Sequence, residues 1–293
     1  MPVPSNKYDK SLRWALSLTR CATYAVLLLL SLCTLPVSAA AVADNQNYLR
    51  FGVLPLQSPT KLASMFLPVT DYLGKKLGRP VQFVTAPNFS SFMQRVARRE
   101  YDLIYLNPLL YRRSRESGYR AIVKVADEPF TGILVVQKNS PIKSLSAQSL
   151  PPGTRIGFPD PDAFAATVMT RQYLQNLGID VEQQMHVQYF GSQDSALLAL
   201  HSSLVDIIGT WRPSFRSMPQ AMQQSLTIIA ETPPQPQMPI ALVADLAPEL
   251  SDKIRQVLLQ MSSDSEGAGI VARLGFSRGF ELASDAEYLE LGE

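Results

Sequence analysis

Residues 49–86 read LRFGVLPLQSPTKLASMFLPVTDYLGKKLGRPVQFVTA, and this stretch predicts the fold class. Leu49 to Leu54 predicts a buried strand, and Val81 to Ala86 predicts a second one. Between them, Lys61 to Leu77 places its apolar side chains on one helical face, and Gly78 ends the helix. A strand, a helix and a second strand in this order are typical of an α/β fold with mostly parallel strands.

The alternation of short apolar strands and helices continues toward the C-terminus in two blocks. After the predicted strand Gly132 to Gln137, the segment Lys138 to Pro141 is polar and ends in proline. A proline-rich stretch, Thr232 to Pro236, marks a second break and favours extended backbone. We therefore expect a two-lobed α/β fold in which each lobe is a mainly parallel sheet flanked by helices, with two crossover strands as a hinge. Lobe 1 is expected to comprise residues 44–138 and 232–293, and lobe 2 residues 139–231.

The first 43 residues predict a cleavable secretory signal peptide. Four basic side chains lie before an apolar run, Ala22 to Val37, which is followed by the small residues Ser38 to Ala43. A membrane-spanning helix needs about 20 apolar residues. This run is shorter and has Pro36 near its end, so we favour cleavage over an N-terminal anchor. The expected cut follows Ala43, with Ala40 as the alternative, and the exported chain then works in the periplasm.

Removal of residues 1–43 changes the charge and the cysteine content of the chain. The whole chain has 27 Lys and Arg against 25 Asp and Glu, and the signal holds 4 and 1 of these, which leaves 23 and 24. A net charge so close to zero argues against nucleic acid or an anionic membrane as the partner. Both cysteines, Cys21 and Cys33, lie in the signal, so the exported chain has no disulfide, thiol nucleophile or thiolate metal site.

The remaining chemistry-bearing residues do not form a recognisable reaction centre. His186 and His201 lack the spacing of metal ligands, and no serine lies in a nucleophile-elbow sequence. We therefore expect no metal, no cofactor and no enzymatic activity.

Five segments, in chain order, carry a family resemblance. They are Leu49–Pro55 (LRFGVLP), Tyr101–Pro108 (YDLIYLNP), Phe130–Val136 (FTGILVV), Gly191–Leu198 (GSQDSALL) and Val205–Gly209 (VDIIG). These segments resemble the opening strand, the third strand with its binding loop, the crossover strand, the Gly-Ser-His-Asp turn and the following strand of one family. That family is the periplasmic phosphate/phosphite/phosphonate-binding proteins of ABC transporters. The resemblance covers nearly the whole exported chain, and it implies a type II periplasmic-binding-protein fold and a high-affinity solute receptor.

One segment departs from the family pattern. The phosphonate-binding members usually open the first helix of the second lobe with a Ser-Thr-Ser-Gly-like segment. The matching place here is Asp162–Thr167, which reads DAFAAT and has one hydroxyl left. The resemblance therefore implies the fold and a receptor role, and it leaves the identity of the solute open.

Candidate binding residues follow predicted strands in both lobes. In open α/β sheets, ligands bind outside the carboxyl ends of the strands. Helix starts near Ala163 and Ser192 have free N–H groups that suit an anion, and the neighbours Trp211 and Arg212 suit a planar or carboxylate-bearing solute. The predicted solute-binding residues are Pro55, Leu56, Tyr105, Asn107, Tyr111, Ala163, Phe164, Ala165, Ala166, Thr167, Ser192, Gln193, Asp194, Trp211 and Arg212.

Several of these residues also have a purely structural interpretation. Ser192 can cap its helix while Asp194 complements the helix dipole. Trp211 can pack on its lobe while Arg212 is solvated. Tyr105 lies within a predicted strand and can belong to the core.

Three functions are compatible with these features. The first is a monomeric solute-binding protein that delivers a small anionic or zwitterionic solute to an inner-membrane ABC permease of a phosphate/phosphonate-like uptake system. The second is a periplasmic sensory protein of the same fold that signals to a membrane kinase. The third, which we favour least, is an enzyme on this fold.

Overall fold

Residues 48–146, 150–289 and 291 are described by the computed structural model, and they belong to one compact unit, Asn47–Glu293. The predicted signal peptide, residues 1–43, lies outside the described residues. The strands are, in chain order, β1 (Leu49–Val53), β2 (Val81–Val84), β3 (Leu103–Tyr105), β4 (Tyr119–Val125), β5 (Gly132–Gln137), β6 (Arg155–Phe158), β7 (His186–Tyr189), β8 (Ile207–Trp211), β9 (Leu226–Glu231), β10 (Pro239–Val243) and β11 (Phe280–Leu282).

The strands form two mixed sheets. The first has the order β11-β4-β10-β3-β1-β2, with β1 parallel to β2 and β3, and with antiparallel pairing of β10 to β3 and β4 and of β11 to β4. The second has the order β7-β6-β8-β5-β9, with β6 parallel to β7 and β8, and with β5 antiparallel to β8 and β9. The two-lobed α/β architecture predicted from the sequence is confirmed in these two parallel-containing sheets.

Helices connect the strands. They are α1 (Pro59–Leu77), α2 (Phe89–Ala97), α3 (Pro108–Ser114), α4 (Thr170–Asn176), α5 (Val181–Gln184), α6 (Gln193–His201), α7 (Arg212–Arg216), α8 (Gln220–Gln224), α9 (Pro248–Gln260) and α10 (Ser265–Leu274). A π-helical segment, Phe164–Met169, runs directly into α4, and 3₁₀ turns occupy Arg115–Ser117 and Asp285–Tyr288.

The ends of the helices follow from local sequence. Pro59 opens α1, and Gly78 ends it in the left-handed region with φ of 67°. The side chain of Asn88 caps α2 by accepting the N–H of Ser91 at 2.8 Å. The buried face of α1 includes Leu62, Phe66, Val69, Leu73 and Leu77 from the predicted apolar stripe.

The chain crosses between the sheets at 126–131 and returns at 232–238. This differs from our expected boundary at residue 138, because β5 pairs with β8 and β9 in the second sheet. An isolated antiparallel bridge between Phe130 and Gln235 joins the two crossing segments. The physical reason is that both faces of β5 are apolar. Such a strand is stable inside a sheet whose two faces are covered, and an exposed connector between lobes does not provide this cover. Movement of the two sheets as separate lobes stays a prediction.

The two sheets also share packing. The faces of β5 alternate, with Ile133 and Val135 in one cluster and Leu134 and Val136 in another, as period-2 side chains require. By contrast, the segment 163–166 packs into the same apolar cluster as the first sheet, although it lies beside the second sheet and precedes α4. The junction between the sheets is therefore closed in this structure.

Candidate functional site

Seven of the predicted binding residues meet at a small cavity between the two sheets. The cavity is lined by Leu56, Asn107, Phe130, Ala163, Phe164, Ala165, Gln193, Trp211 and Met238. Its volume is about 10 Å³, about the space that one water molecule requires. Segments that follow β1, β3 and β6 contribute, as the rule that ligands bind beyond the carboxyl ends of strands predicts.

Unpartnered N–H groups lie at the start of the helix that contacts the cavity. The backbone nitrogens of Phe164, Ala165 and Ala166 have no acceptor among the described residues. They are the first N–H groups of a continuous helical segment through Asn176, so no earlier helical carbonyl is available to them. The turn itself is fixed, because the hydroxyl and N–H of Thr167 donate to Asp160 O at 2.7 Å and Ala163 O at 2.7 Å. This end of the helix carries partial positive charge.

Two glycines in the second sheet allow this helix start to lie close to the strands. A Cβ at Gly132 would come closer than 3.0 Å to the carbonyl oxygen of Ala165, and one at Gly209 would do the same with Ala166. The two glycines lie on the paired strands β5 and β8. Thr170 donates its hydroxyl to Ala166 O at 2.6 Å and holds the next turn. Only residues without a Cβ fit at both positions.

Two buried amide side chains supply the polar part of the lining. Asn107 is 1% exposed; its oxygen accepts the N–H of Leu110 at 2.8 Å and its nitrogen donates to Asp162 O at 2.9 Å, across the sheets. Gln193 is 2% exposed, and its side-chain oxygen accepts the Thr210 hydroxyl at 2.7 Å. Its amide nitrogen has no acceptor among the described residues.

Aromatic and aliphatic side chains form the rest of the wall. The ring of Phe130 stacks on Phe164 with centroids 6.0 Å apart and lies 5.6 Å from the Trp211 indole. None of the nine lining residues carries a charge. Phe130 and Met238 were not predicted as binding residues. Both lie in the segments where the chain crosses between the sheets, and the proline-rich stretch Thr232 to Pro236 was the sequence signal near Met238.

Tyr105 and Tyr111 are buried away from the cavity. Tyr105 packs with Phe66 at 5.3 Å and Phe276 at 6.1 Å, and burial raises its pKa above the usual value. The Tyr111 hydroxyl donates to Asp285 and accepts the N–H of Ala121 at 2.7 Å. Burial and the Asp285 carboxylate raise its pKa. Tyr111 thus holds the C-terminal segment, and the structure does not bring it to the predicted cleft.

Ser192, Asp194 and Arg212 also have partners outside the cavity. Ser192 caps α6 by accepting the N–H of Ser195 at 3.1 Å, the structural role we left open. Asp194 pairs with Lys61 at 3.0 Å. Arg212 pairs with Glu231 and does not line this cavity, but together with Trp211 it lines a neighbouring outer cavity of about 130 Å³. Pro55, Ala166 and Thr167 adjoin lining residues without lining the cavity.

Several polar contacts join the segments beside the first sheet to those beside the second. The Lys61 amine contacts Asp194 and the Ser217 hydroxyl at 2.8 Å, and Arg113 pairs with Asp162 at 2.8 Å. The N–H of Gln193 donates to Leu56 O at 3.1 Å. These contacts hold the cavity shut.

Comparison with known proteins identifies the class. Residues 51–288 match the sequence profile of a family described as "ABC transporter, phosphonate, periplasmic substrate-binding protein". The phosphonates-binding periplasmic protein of Escherichia coli (strain K12) is 24% identical over 281 residues, with 92% of this chain and 82% of that protein covered.

Two solved structures share the fold. One is a binding-protein component of an ABC phosphonate transporter from Pseudomonas aeruginosa, with a TM-score of 0.75, 18% identity and 84% of each chain covered. The other is a Prochlorococcus marinus (MIT 9301) protein in complex with methylphosphonate, with a TM-score of 0.75 and 18% identity over 83% of this chain and 95% of that one.

The chain is a two-lobed solute receptor with the type II periplasmic-binding-protein fold. It belongs to the phosphonate family of periplasmic substrate-binding proteins of ABC transporters. Within residues 48–146, 150–289 and 291, no group of three or more His, Cys, Asp or Glu side chains is placed to hold a metal ion. In the same part of the chain, no helix combines the length and apolar character that crossing a bilayer requires.

Proposed function

We propose that the chain captures one small anionic solute between its two sheets and passes it to an inner-membrane ABC permease. The observation that carries this proposal is the row of unpartnered N–H groups at 164–166, beside an uncharged cavity between the sheets. Donors fixed at a helix start attract negative charge without rearrangement of side chains. Relatives that are named for phosphonate binding or bind methylphosphonate support an oxyanion as the solute.

The proposal includes export and movement. The basic, apolar and small-residue regions within residues 1–43 support secretion to the periplasm, where we propose that the chain acts as a monomer. The cavity admits about one water molecule, so a solute enters only when the sheets separate. We place the hinge at 126–131 and 232–238, where the chain crosses twice and where Phe130 bridges Gln235.

The experiment first asks whether the purified protein, unfolded and refolded to remove bound solute, binds a small oxyanion by calorimetry. The panel contains methylphosphonate, phosphite, phosphate, benzoate and benzenesulfonate. Binding of at least one supports the proposal, and binding of none contradicts it.

A pair of variants then tests the N–H groups. Ala163 is the residue before the helix, and it makes no side-chain cap. Ala163→Asp and Ala163→Asn both introduce an oxygen that can accept from these donors. Only the aspartate also repels an anion, so we expect at least a tenfold larger loss of affinity for Ala163→Asp. Equal losses would contradict an anion at this place.

A further inference from the structure

The outer cavity, with a volume of about 130 Å³, is separated from the small cavity by the first crossing segment. Pro129 and Thr131 line the outer cavity, whereas Phe130 between them lines the small one. Phe130 forms a β-bridge with the return crossing, and alternate residues of β structure point to opposite sides. Trp211 contributes to both walls. The outer cavity is therefore a separate space.

Residues beside both sheets form the walls of the outer cavity. Phe276 belongs to the apolar cluster of the first sheet, and Pro213 lies in α7, directly after β8 of the second sheet. The rings of Phe276 and Trp211 supply the aromatic surface. The Phe276 ring itself packs against the rings of Tyr105 and Phe280, with centroids 6.1 and 5.7 Å apart. This part of the wall is thus anchored in the core.

Four charged side chains line the outer cavity, and their charges cancel. They are the carboxylates of Asp127 and Glu128 and the guanidinium groups of Arg212 and Arg216. Arg216 pairs with Glu128 at 3.3 Å, and Arg212 pairs with Glu231. A ligand with a net charge finds no excess of opposite charge here, and a zwitterion would compete with pairs that already exist. The lining therefore favours an uncharged polar ligand.

The charged side chains have capacity for further hydrogen bonds. A guanidinium group has five N–H donors, and a carboxylate has about four lone-pair sites. Arg216 reaches Glu128 from a single nitrogen, Nη2. The Asp127 carboxylate accepts the hydroxyl and the N–H of Ser277 at 2.6 and 3.0 Å and the N–H of Arg278 at 3.1 Å. A hydroxyl group both donates and accepts, so it can bind a guanidinium and a carboxylate together without breaking their pairs.

The volume of the outer cavity limits the size of a ligand. A cavity of about 150 Å³ can hold a benzene ring, so the outer cavity suits a molecule of about six non-hydrogen atoms. The Trp211 and Phe276 rings offer apolar surface to the carbon skeleton of such a molecule. We infer that the outer cavity binds a small uncharged polyol of about three carbons. This inference goes beyond the proposed function, because the outer cavity is separate from the cavity that the anionic solute is proposed to occupy.

A ligand-observed NMR titration of the refolded protein tests the class of ligand. Glycerol, 1,2-propanediol and 1-propanol keep one carbon skeleton and lose hydroxyls one at a time. We expect glycerol to bind about tenfold more tightly than 1-propanol, with the diol between them, because each further hydroxyl adds hydrogen bonds. 3-Amino-1,2-propanediol replaces one hydroxyl of glycerol by an ammonium group, and it should bind at least threefold more weakly than glycerol.

Equal affinities along the hydroxyl series would overturn the inference. Tighter binding of 3-amino-1,2-propanediol than of glycerol would overturn it too, because the carboxylates would then act as an ammonium site. Neither result affects the proposed function, which is tested with oxyanions at the other cavity.

A pair of arginine variants tests the position of the polyol. Arg216→Ala should lower the affinity for glycerol at least threefold and change that for 1-propanol less. The pair of Arg216 with Glu128 is exposed, so the melting temperature should stay nearly the same. Arg255→Ala is the matched control, because Arg255 forms an exposed pair with Asp252 in α9 and does not line the outer cavity. The inference is wrong if Arg216→Ala leaves the glycerol affinity unchanged, or if Arg255→Ala lowers it as much.

Discussion

The carbonyl oxygen of Ala165 lies against the Cα of Gly132, so closely that a Cβ at residue 132 would collide with it. The helical segment that starts beside the cavity is therefore positioned by a strand that the chain reaches immediately after its first crossing. Gly209 has the same relation to the carbonyl of Ala166 on the neighbouring strand. The position of the unpartnered N–H groups at 164–166 thus depends on two residues that have no side chain.

Gly132→Ala should destabilise the protein by about 2 kcal/mol or more, because backbone rather than a flexible side chain must move. For a protein of this size, we expect a fall in melting temperature of about 4–8 °C in a thermal denaturation. Gly269→Ala is the control, since a Cβ at this helical glycine meets nothing within 4 Å. It should leave the melting temperature unchanged or raise it. Equal changes in melting temperature for Gly132→Ala and Gly269→Ala would contradict a collision between the new Cβ and the Ala165 carbonyl oxygen.

Substitutions of Asn107 should separate its capping of α3 from its proposed position beside the solute. Asn107→Asp keeps an oxygen that can cap α3 but loses the N–H donor to Asp162 O, and it adds negative charge beside the cavity. Because Asn107 is buried, the new charge and the lost donor should lower the stability by about 1–3 kcal/mol, and we expect at least a tenfold loss of affinity for an anion, measured by calorimetry. Asn107→Ala removes the cap as well and should cost about 1 kcal/mol of stability. If Asn107→Asp binds anions as tightly as the parent protein, Asn107 does not lie next to the bound anion.

Lys61→Met should weaken the closed state, because the Lys61 amine bridges to Asp194 and Ser217 across the sheets. The pair is partly exposed, so we expect a 2- to 5-fold loss of solute affinity, about the size of a surface ion pair. Fluorescent labels on the two lobes should report a larger mean distance without solute. Lys75→Met serves as control, because Lys75 pairs with Glu266 on the outside of the first sheet. The same loss of affinity or the same increase in distance in Lys75→Met would show that the contact of Lys61 with Asp194 and Ser217 is not the cause.

The Arg155–Asp206 pair should give a pH-dependent stability. Hydrogen bonds from Arg155 lower the pKa of Asp206, and the pair is half exposed. A carboxyl with a lowered folded-state pKa stabilises above its unfolded pKa, and this contribution disappears as pH falls through the folded pKa. At pH 7, Asp206→Asn should cost about 0.5–1 kcal/mol after allowance for solvent screening. Melting curves of the variant and the parent should converge below about pH 4, and a constant difference down to pH 2 would contradict the linkage.

Much of the local structure followed from pattern alone. The apolar period of Lys61 to Leu77 and the glycine after it predicted α1 within two residues of its observed start. The sequence also predicted seven of the residues that line the cavity. The rule that ligands bind beyond the carboxyl ends of strands requires only the positions of the strands, which the sequence indicates. The pairing of β5 was not predicted, since an apolar segment fits equally well at the edge of one sheet or inside the next.

The errors at the site share one cause, which is contact between distant parts of the chain. Tyr111 meets Asp285 from 174 residues away, and Asp162 meets Asn107 from 55 residues away. Local sequence shows that these residues are polar but does not show their partners.

Local sequence was sufficient to predict the α/β alternation, the helix caps and the family, because these depend on side-chain period, on cap chemistry and on motifs within short segments. The residues that line the cavity depend instead on contacts between distant parts of the chain. The charges of Lys61, Arg113 and Arg212 are paired by residues from other elements, and Phe130 and Met238 reach the cavity from the two crossing segments. The neutral, aromatic character of the site is thus a property of long-range packing, which fixes the distances on which electrostatic and apolar contacts depend.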